Sequence, residues 1–80
     1  MMDARHRYIG REIKSELVKR GLRQVDIARR LNLDRATVNR QLNAATRPDF
    51  FVLMSIIDEL GLDAHELYQK AKEAQHESKA

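Results

Sequence analysis

The sequence predicts an all-α domain, compact, with four or five helices around one core and a helix-turn-helix at its centre. Three observations lead there. Apolar residues recur at helical spacing along most of the chain, and no run shows period-two alternation bounded by turn residues. Gly21, Asn32 and Gly61, all tolerant of positive φ, each precede a leucine after a helical stretch, which marks three helix stops with short joints. Finally, GLRQVDIARRLNLDRATVNRQLN (21–43) reads as two short helices, about 24–31 and 35–42, separated only by Asn32, Leu33 and Asp34. So short a joint forces the helices to cross steeply and share one packed face.

Eighty residues set the scale. A chain of this length hides little more than about 60% of its extended surface, so every element must contribute to a single core. The absence of cysteine rules out disulfides and thiolate metal sites. No apolar run approaches the ~20 residues that span a bilayer, and MMDARHRY is not a secretory segment, so a cytoplasmic protein is expected. The net charge of +3 conceals an asymmetry. Residues 1–47 hold twelve Lys or Arg against five Asp or Glu, giving +7; residues 48–80 hold three against seven, giving −4. The basic half carries the paired helices, which points to a polyanionic partner.

In chain order, the first helix is expected over about 6–20, its face formed by Ile9, Ile13 and Leu17 and widened by Tyr8 and Val18. The domain proper is read as 8–71, with 1–7 a frayed N-terminus and 72–80 a polar C-terminal tail that extends or frays the last helix into solvent. Gly10 costs about 1 kcal/mol of helix propensity. Ile27, Ala28 and Leu31 form the inner stripe of the second helix, Val38 and Leu42 that of the third, and Leu33 plugs the corner. Arg23 is a poor cap for the second helix, compensated by Asp26 in its first turn; Asp34 caps the third. Pro48 ends the loop after Asn43, and Asp49 caps a helix over 50–60. There Leu53, Ile57 and Leu60 suffice for one core-facing stripe. The surplus makes this helix either central to the core or partly exposed for a partner, and in the second case Phe50, Phe51, Met54 and Ile56 are candidates for a dimer interface. The last helix starts near Ala64, with Asp63 and Glu66 as a capping box and Leu67, Tyr68 and Ala71 inward.

The outward face of the third helix is Arg35, Ala36, Asn39, Arg40 and Asn43, a polar and basic surface suited to the DNA major groove. Arg35 and Arg40 offer donor forks for guanine, Asn39 can pair with adenine, and Ala36 can pack on a thymine methyl. Gln24, at a helix N-terminus beside Arg23, suits a backbone phosphate. Chemistry of the catalytic kind has no foothold. His6, His65 and His76 lie far apart, and the sequence offers neither paired carboxylates nor a Gly-rich phosphate loop. No enzyme activity, cofactor, metal or small-molecule ligand is expected.

Residues 9–68 resemble the Cro/C1-type (XRE-like) helix-turn-helix family of phage repressors and bacterial regulators. The resemblance rests on IGREIKSELVKRGL, RQVDIARRLNL, DRATVNRQLN and LGLDAHELY. It implies a five-helix, lambda-repressor-like DNA-binding domain whose third helix lies in the major groove, and homodimers that read two-fold-symmetric operators. By the same resemblance Arg35, Ala36, Asn39 and Arg40 face base edges, while Asn43, Thr46 and Arg47 run beside the sugar-phosphate chain with Arg23 and Gln24. Gln24 matches a glutamine that braces the first recognition-helix residue. The departures are Arg23 for a hydroxyl cap, Asn32 for glycine, and NAATRP for an acidic or glycine-containing loop. The expected function is a sequence-specific, double-stranded DNA-binding transcriptional regulator, a phage-like repressor acting at the nucleoid. Two other readings compete: a protein-binding adaptor or antitoxin-like module using the apolar surface of 50–57, and an RNA-binding helical domain. RNA is disfavoured because a helix does not readily enter the narrow A-form major groove.

Overall fold

Among the described residues five helices follow one another through short joints: α1 (Ala4–Lys19), α2 (Gln24–Arg30), α3 (Arg35–Leu42), α4 (Phe50–Glu59) and α5 (Ala64–Lys79). They are defined by a computed structural model that describes residues 4–79, with side chains through residue 75. The periodicities of the sequence converge on one core. Ile13 and Leu17 of α1, Ile27 and Ala28 of α2, Val38 and Leu42 of α3, and five residues of the α4 segment form one buried cluster. Leu33 packs against it from the joint between α2 and α3, as do Leu22 and Leu62 from the other joints. The α1 helix lies against both α3 and α5, and α2 lies against α3.

The helix stops follow from main-chain bonding. After α1 the Leu22 N–H donates to the Leu17 carbonyl (2.9 Å) and the Gly21 N–H to that of Val18 (3.1 Å), with Gly21 at φ 68°. The same double closure occurs at Leu33 to Ala28 (2.8 Å) and Leu62 to Ile57 (3.0 Å). A fourth stop ends α3, where the Ala45 N–H reaches the Arg40 carbonyl (2.9 Å) and Ala44 adopts φ 51°. Alanine carries a penalty of about 1–2 kcal/mol there, so its sequence gave no sign of it. Burial of the Ala44 methyl offsets part of that strain.

Three expectations need correction. The first helix begins at Ala4, inside the stretch expected to fray, because His6 is buried with its Nε2 donating to the Gln41 carbonyl (2.8 Å) and Arg5 bonds the Tyr68 hydroxyl (2.9 Å). Residues 1–3 lie outside the described residues. Val18 does not widen the inner face; it is 79% exposed, because it follows Leu17 by about 100° of helical rotation. Ile56 is fully buried, sharing the inner side of α4 with Val52, Leu53 and Ile57, so it cannot serve a dimer interface; Phe50, Phe51 and Met54 stay exposed. Past residue 71 the polar tail continues the last helix to Lys79, and Lys72 lies 5.6 Å from the Tyr68 ring centroid. Residue 80 is outside the described residues.

Gly10 does more than loosen a helix. It is buried against the end of α3, and a Cβ built there meets the Leu42 carbonyl, with the carbonyl carbon at 2.8 Å and Cα at 3.2 Å. The backbones of α1 and α3 therefore touch directly. Gly10→Ala should lower stability by roughly 1–3 kcal/mol from overpacking, outweighing a propensity gain of about 1 kcal/mol. Urea unfolding of the two proteins checks this, and an equal or raised midpoint would contradict the contact.

Candidate nucleic-acid interface

The α3 helix is anchored from behind by Val38 and Leu42, both essentially inaccessible to solvent. Helical geometry then dictates what faces outward. Arg35, Ala36, Asn39 and Arg40 are all exposed, and Asn43 continues the same surface at the helix end. Eight residues make a rod about 12 Å long, short enough to lie within a major groove of similar width.

The side chains on this face are partly oriented already. Asn39 Nδ2 donates to Gln24 Oε1 at 3.0 Å, joining the first residue of α2 to the middle of α3. The brace thus falls on Asn39, one turn beyond the first recognition-helix residue that the resemblance implied. One Asn39 N–H is used; the second N–H and Oδ1 form a donor–acceptor pair of the kind adenine requires. With its oxygen engaged, the Gln24 amide nitrogen becomes the end suited to an anion.

The flanks are basic. Arg23 has a side chain 77% exposed and stands at the N-cap of α2 with φ −100° and ψ 162°. Guanidinium cannot accept a hydrogen bond, so the cap runs in reverse: the Asp26 carboxylate accepts the Arg23 N–H at 2.8 Å and lies 3.5 Å from its Nε. Those contacts, the backbone bond first, hold the Asp26 carboxyl below its usual value of 3.8. Asp34 stands at the N-cap of α3 with no side-chain bond to it, whereas Asp49 accepts from the Val52 N–H (3.2 Å) and Asp63 from that of Glu66 (3.0 Å). Glu66 itself pairs with Lys70 at 3.0 Å.

Sequence reasoning missed two residues. Lys14 donates from Nζ to Asn43 Oδ1 at 2.7 Å and so places an α1 cation at the C-terminal edge of the face. Its position one turn after Gly10 is the signal, legible only once Gly10 is known to touch α3. Gln41 is buried in the last turn of α3, where it donates to the Arg47 carbonyl (2.9 Å) and accepts from the Asp49 N–H (2.8 Å). Position 41 shares the inner face with Val38 by helical period, which was the available clue. Thr46 and Arg47 lie exposed in the loop that Gln41 tethers.

The charges divide in the same way. Among the described residues no carboxylate forms an ion pair with Arg35, Arg40 or Arg47, while Arg20 pairs with Glu16 (3.0 Å) and Arg30 with Glu59 (3.8 Å). Arg35, Arg40 and Arg47 thus stand exposed without a carboxylate partner, whereas Arg23 on the flank keeps Asp26. The described residues contain no group of His, Asp and Glu able to hold a metal, and no described helix is long and apolar enough to cross a membrane.

A helix-turn-helix family model matches residues 13–67, well over half the chain, and spans both helices of the face and the loop after them. No curated protein and no solved structure matches the chain.

The reverse cap predicts a pH dependence. A carboxylate held below its ordinary pKa stabilises the fold above the unfolded value of about 3.9, and the contribution disappears as pH falls through the folded value. Asp26→Asn should therefore melt below the parent at pH 7, with the gap closing below about pH 4. Thermal melts across that range test it; a gap independent of pH would assign the loss to something other than the carboxylate's charge.

Proposed function

Because the chain belongs to the Cro/C1-type helix-turn-helix family of DNA-binding regulators, we propose that it reads a specific duplex sequence by laying α3 in the major groove. In this reading Arg35, Ala36, Asn39 and Arg40 meet base edges, while Arg23, Gln24, Asn43, Thr46 and Arg47, joined by Lys14, hold the phosphates on either side. The observation that carries the proposal is the Gln24–Asn39 bond, which fixes a base-reading amide on the exposed side of a helix whose other side is locked in the core. Preorganised donors lose less freedom on binding, so a fixed amide favours discrimination over general attraction.

A single α3 covers only a few base pairs. Two copies about 34–36 Å apart double the contacts, and the exposed Phe50, Phe51 and Met54 supply an apolar patch for pairing. The product is a homodimer on a two-fold-symmetric operator, acting in the nucleoid as a repressor of the phage type. Repression needs no further part of the chain than occupancy of the operator.

Selection from a random duplex library, followed by footprinting, should return an inverted repeat with half-sites about one helical turn apart. Alanine at Arg35, Asn39 or Arg40 should each relax preference at particular bases by about 1–3 kcal/mol. Lys14→Gln should instead weaken all duplexes alike and reduce the salt slope by about 1. Unaltered preference in all three alanine variants would reject the reading of α3. In sedimentation, Phe51→Ser should shift the self-association to higher concentration; a parent that stays monomeric with and without operator would reject the dimer.

A further inference from the structure

Gln41 is only 4% exposed, so it has no surface with which to meet DNA. Yet burying an amide among apolar side chains is unfavourable unless every bond is made, and methionine would fill similar space without that demand. The bonds show what the amide is for. Nε2 donates to the Arg47 carbonyl and Oε1 accepts from the Asp49 N–H, so the side chain pairs like a peptide group with the residues on either side of Pro48. Proline has no N–H of its own and leaves the loop without that donor. The main-chain carbonyl of Gln41 is fixed in turn by His6 Nε2 at 2.8 Å. One residue therefore ties α1, the last turn of α3, the loop and the N-cap of α4 together.

We infer that Gln41 is a positioning residue for phosphate binding: it holds the loop over 43–49 in the path that presents Asn43, Thr46 and Arg47 to the sugar-phosphate chain. This rests on the DNA reading above. Gln41 acts on the loop and not on α3, whose inner face is set by Val38 and Leu42. Its loss removes phosphate contacts while leaving the choice of bases intact.

The test uses the full chain with Gln41→Met and Gln41→Leu, both of similar volume and uncharged, and neither able to make the two loop bonds. Operator affinity is measured from 50 to 200 mM salt, with base preference from single-substitution operators, thermal melting, and hydrogen exchange at the Asp49 amide. For Gln41→Met the expected result is a folded protein with a faster-exchanging Asp49 amide. Its binding is roughly tenfold weaker per half-site, the weight of one charge-assisted hydrogen bond. Its salt slope is lower by about 1 per protomer, and its order of preferred bases is unchanged. Gln41→Leu should lower the slope and deprotect the Asp49 amide similarly, and it carries the test alone if the methionine variant does not fold. Variants with the parental slope would overturn the loop role, as would a loss of base preference together with the slope. A parent lacking salt-dependent duplex binding would instead overturn the DNA reading, and this inference with it.

Discussion

The structure depends on how α3 is held from behind. Eight residues in water do not stay helical, since the nucleating turn is unfavourable and few bonds follow it. The helix exists because Val38 and Leu42 are sealed in the core and because Gly10 lets the α1 backbone close on the carbonyl of Leu42. Once those positions are fixed, rotation by about 100° per residue leaves no choice about the opposite side. Arg35, Ala36, Asn39 and Arg40 face solvent because Val38 and Leu42 do not. The outward chemistry is a consequence of inward packing.

Apolar anchors fix the position of a helix but not the direction of its polar groups. That task falls to amides. Gln24 orients Asn39, and Gln41 ties the loop that carries Thr46 and Arg47. Neutral amides suit this work beside a basic face, because they supply directed bonds without cancelling charge. A carboxylate placed among Arg35, Arg40 and Arg47 would orient them too, but it would also repel a phosphate. Among the described residues the carboxylates pair instead with Arg20, Arg30 and Lys70, and on the flank of the face with Arg23.

Much of this was legible in the sequence, and the limits have a common cause. The helices, three of their stops and the inner stripe of each were readable because they follow from period and from residues tolerant of positive φ. The exposure of Arg35, Ala36, Asn39 and Arg40 followed from the same period. What escaped depends on contact between distant segments. Ile56 looked like surplus apolar surface because the sequence does not say how wide a face of α4 the core can cover. Ala44 concealed a helix stop because its strain is met by burial that only the fold supplies. Lys14 and Gln41 acquire roles through residues 29 and 6–8 positions away, and His6 through one 35 positions away.

Arg23 shows how a local rule can be broken without loss of the helix it governs. A serine at that position would bond back onto α2 and leave a short neutral side chain at the edge of the face. Here Asp26 makes the capping bond from inside the helix, to the Arg23 N–H, so the side chain at 23 is released from that duty. The ion pair between the two residues, at 3.5 Å and largely exposed on the arginine side, is of a kind that contributes about 0–1 kcal/mol. A charge-assisted bond to phosphate contributes about 1.5–3 kcal/mol. On the proposed reading of the face, a phosphate beside Gln24 draws the guanidinium away from Asp26, while the Asp26 bond to the Arg23 N–H continues to close the helix. Cap and cation occupy the same residue because one uses its main chain and the other its side chain.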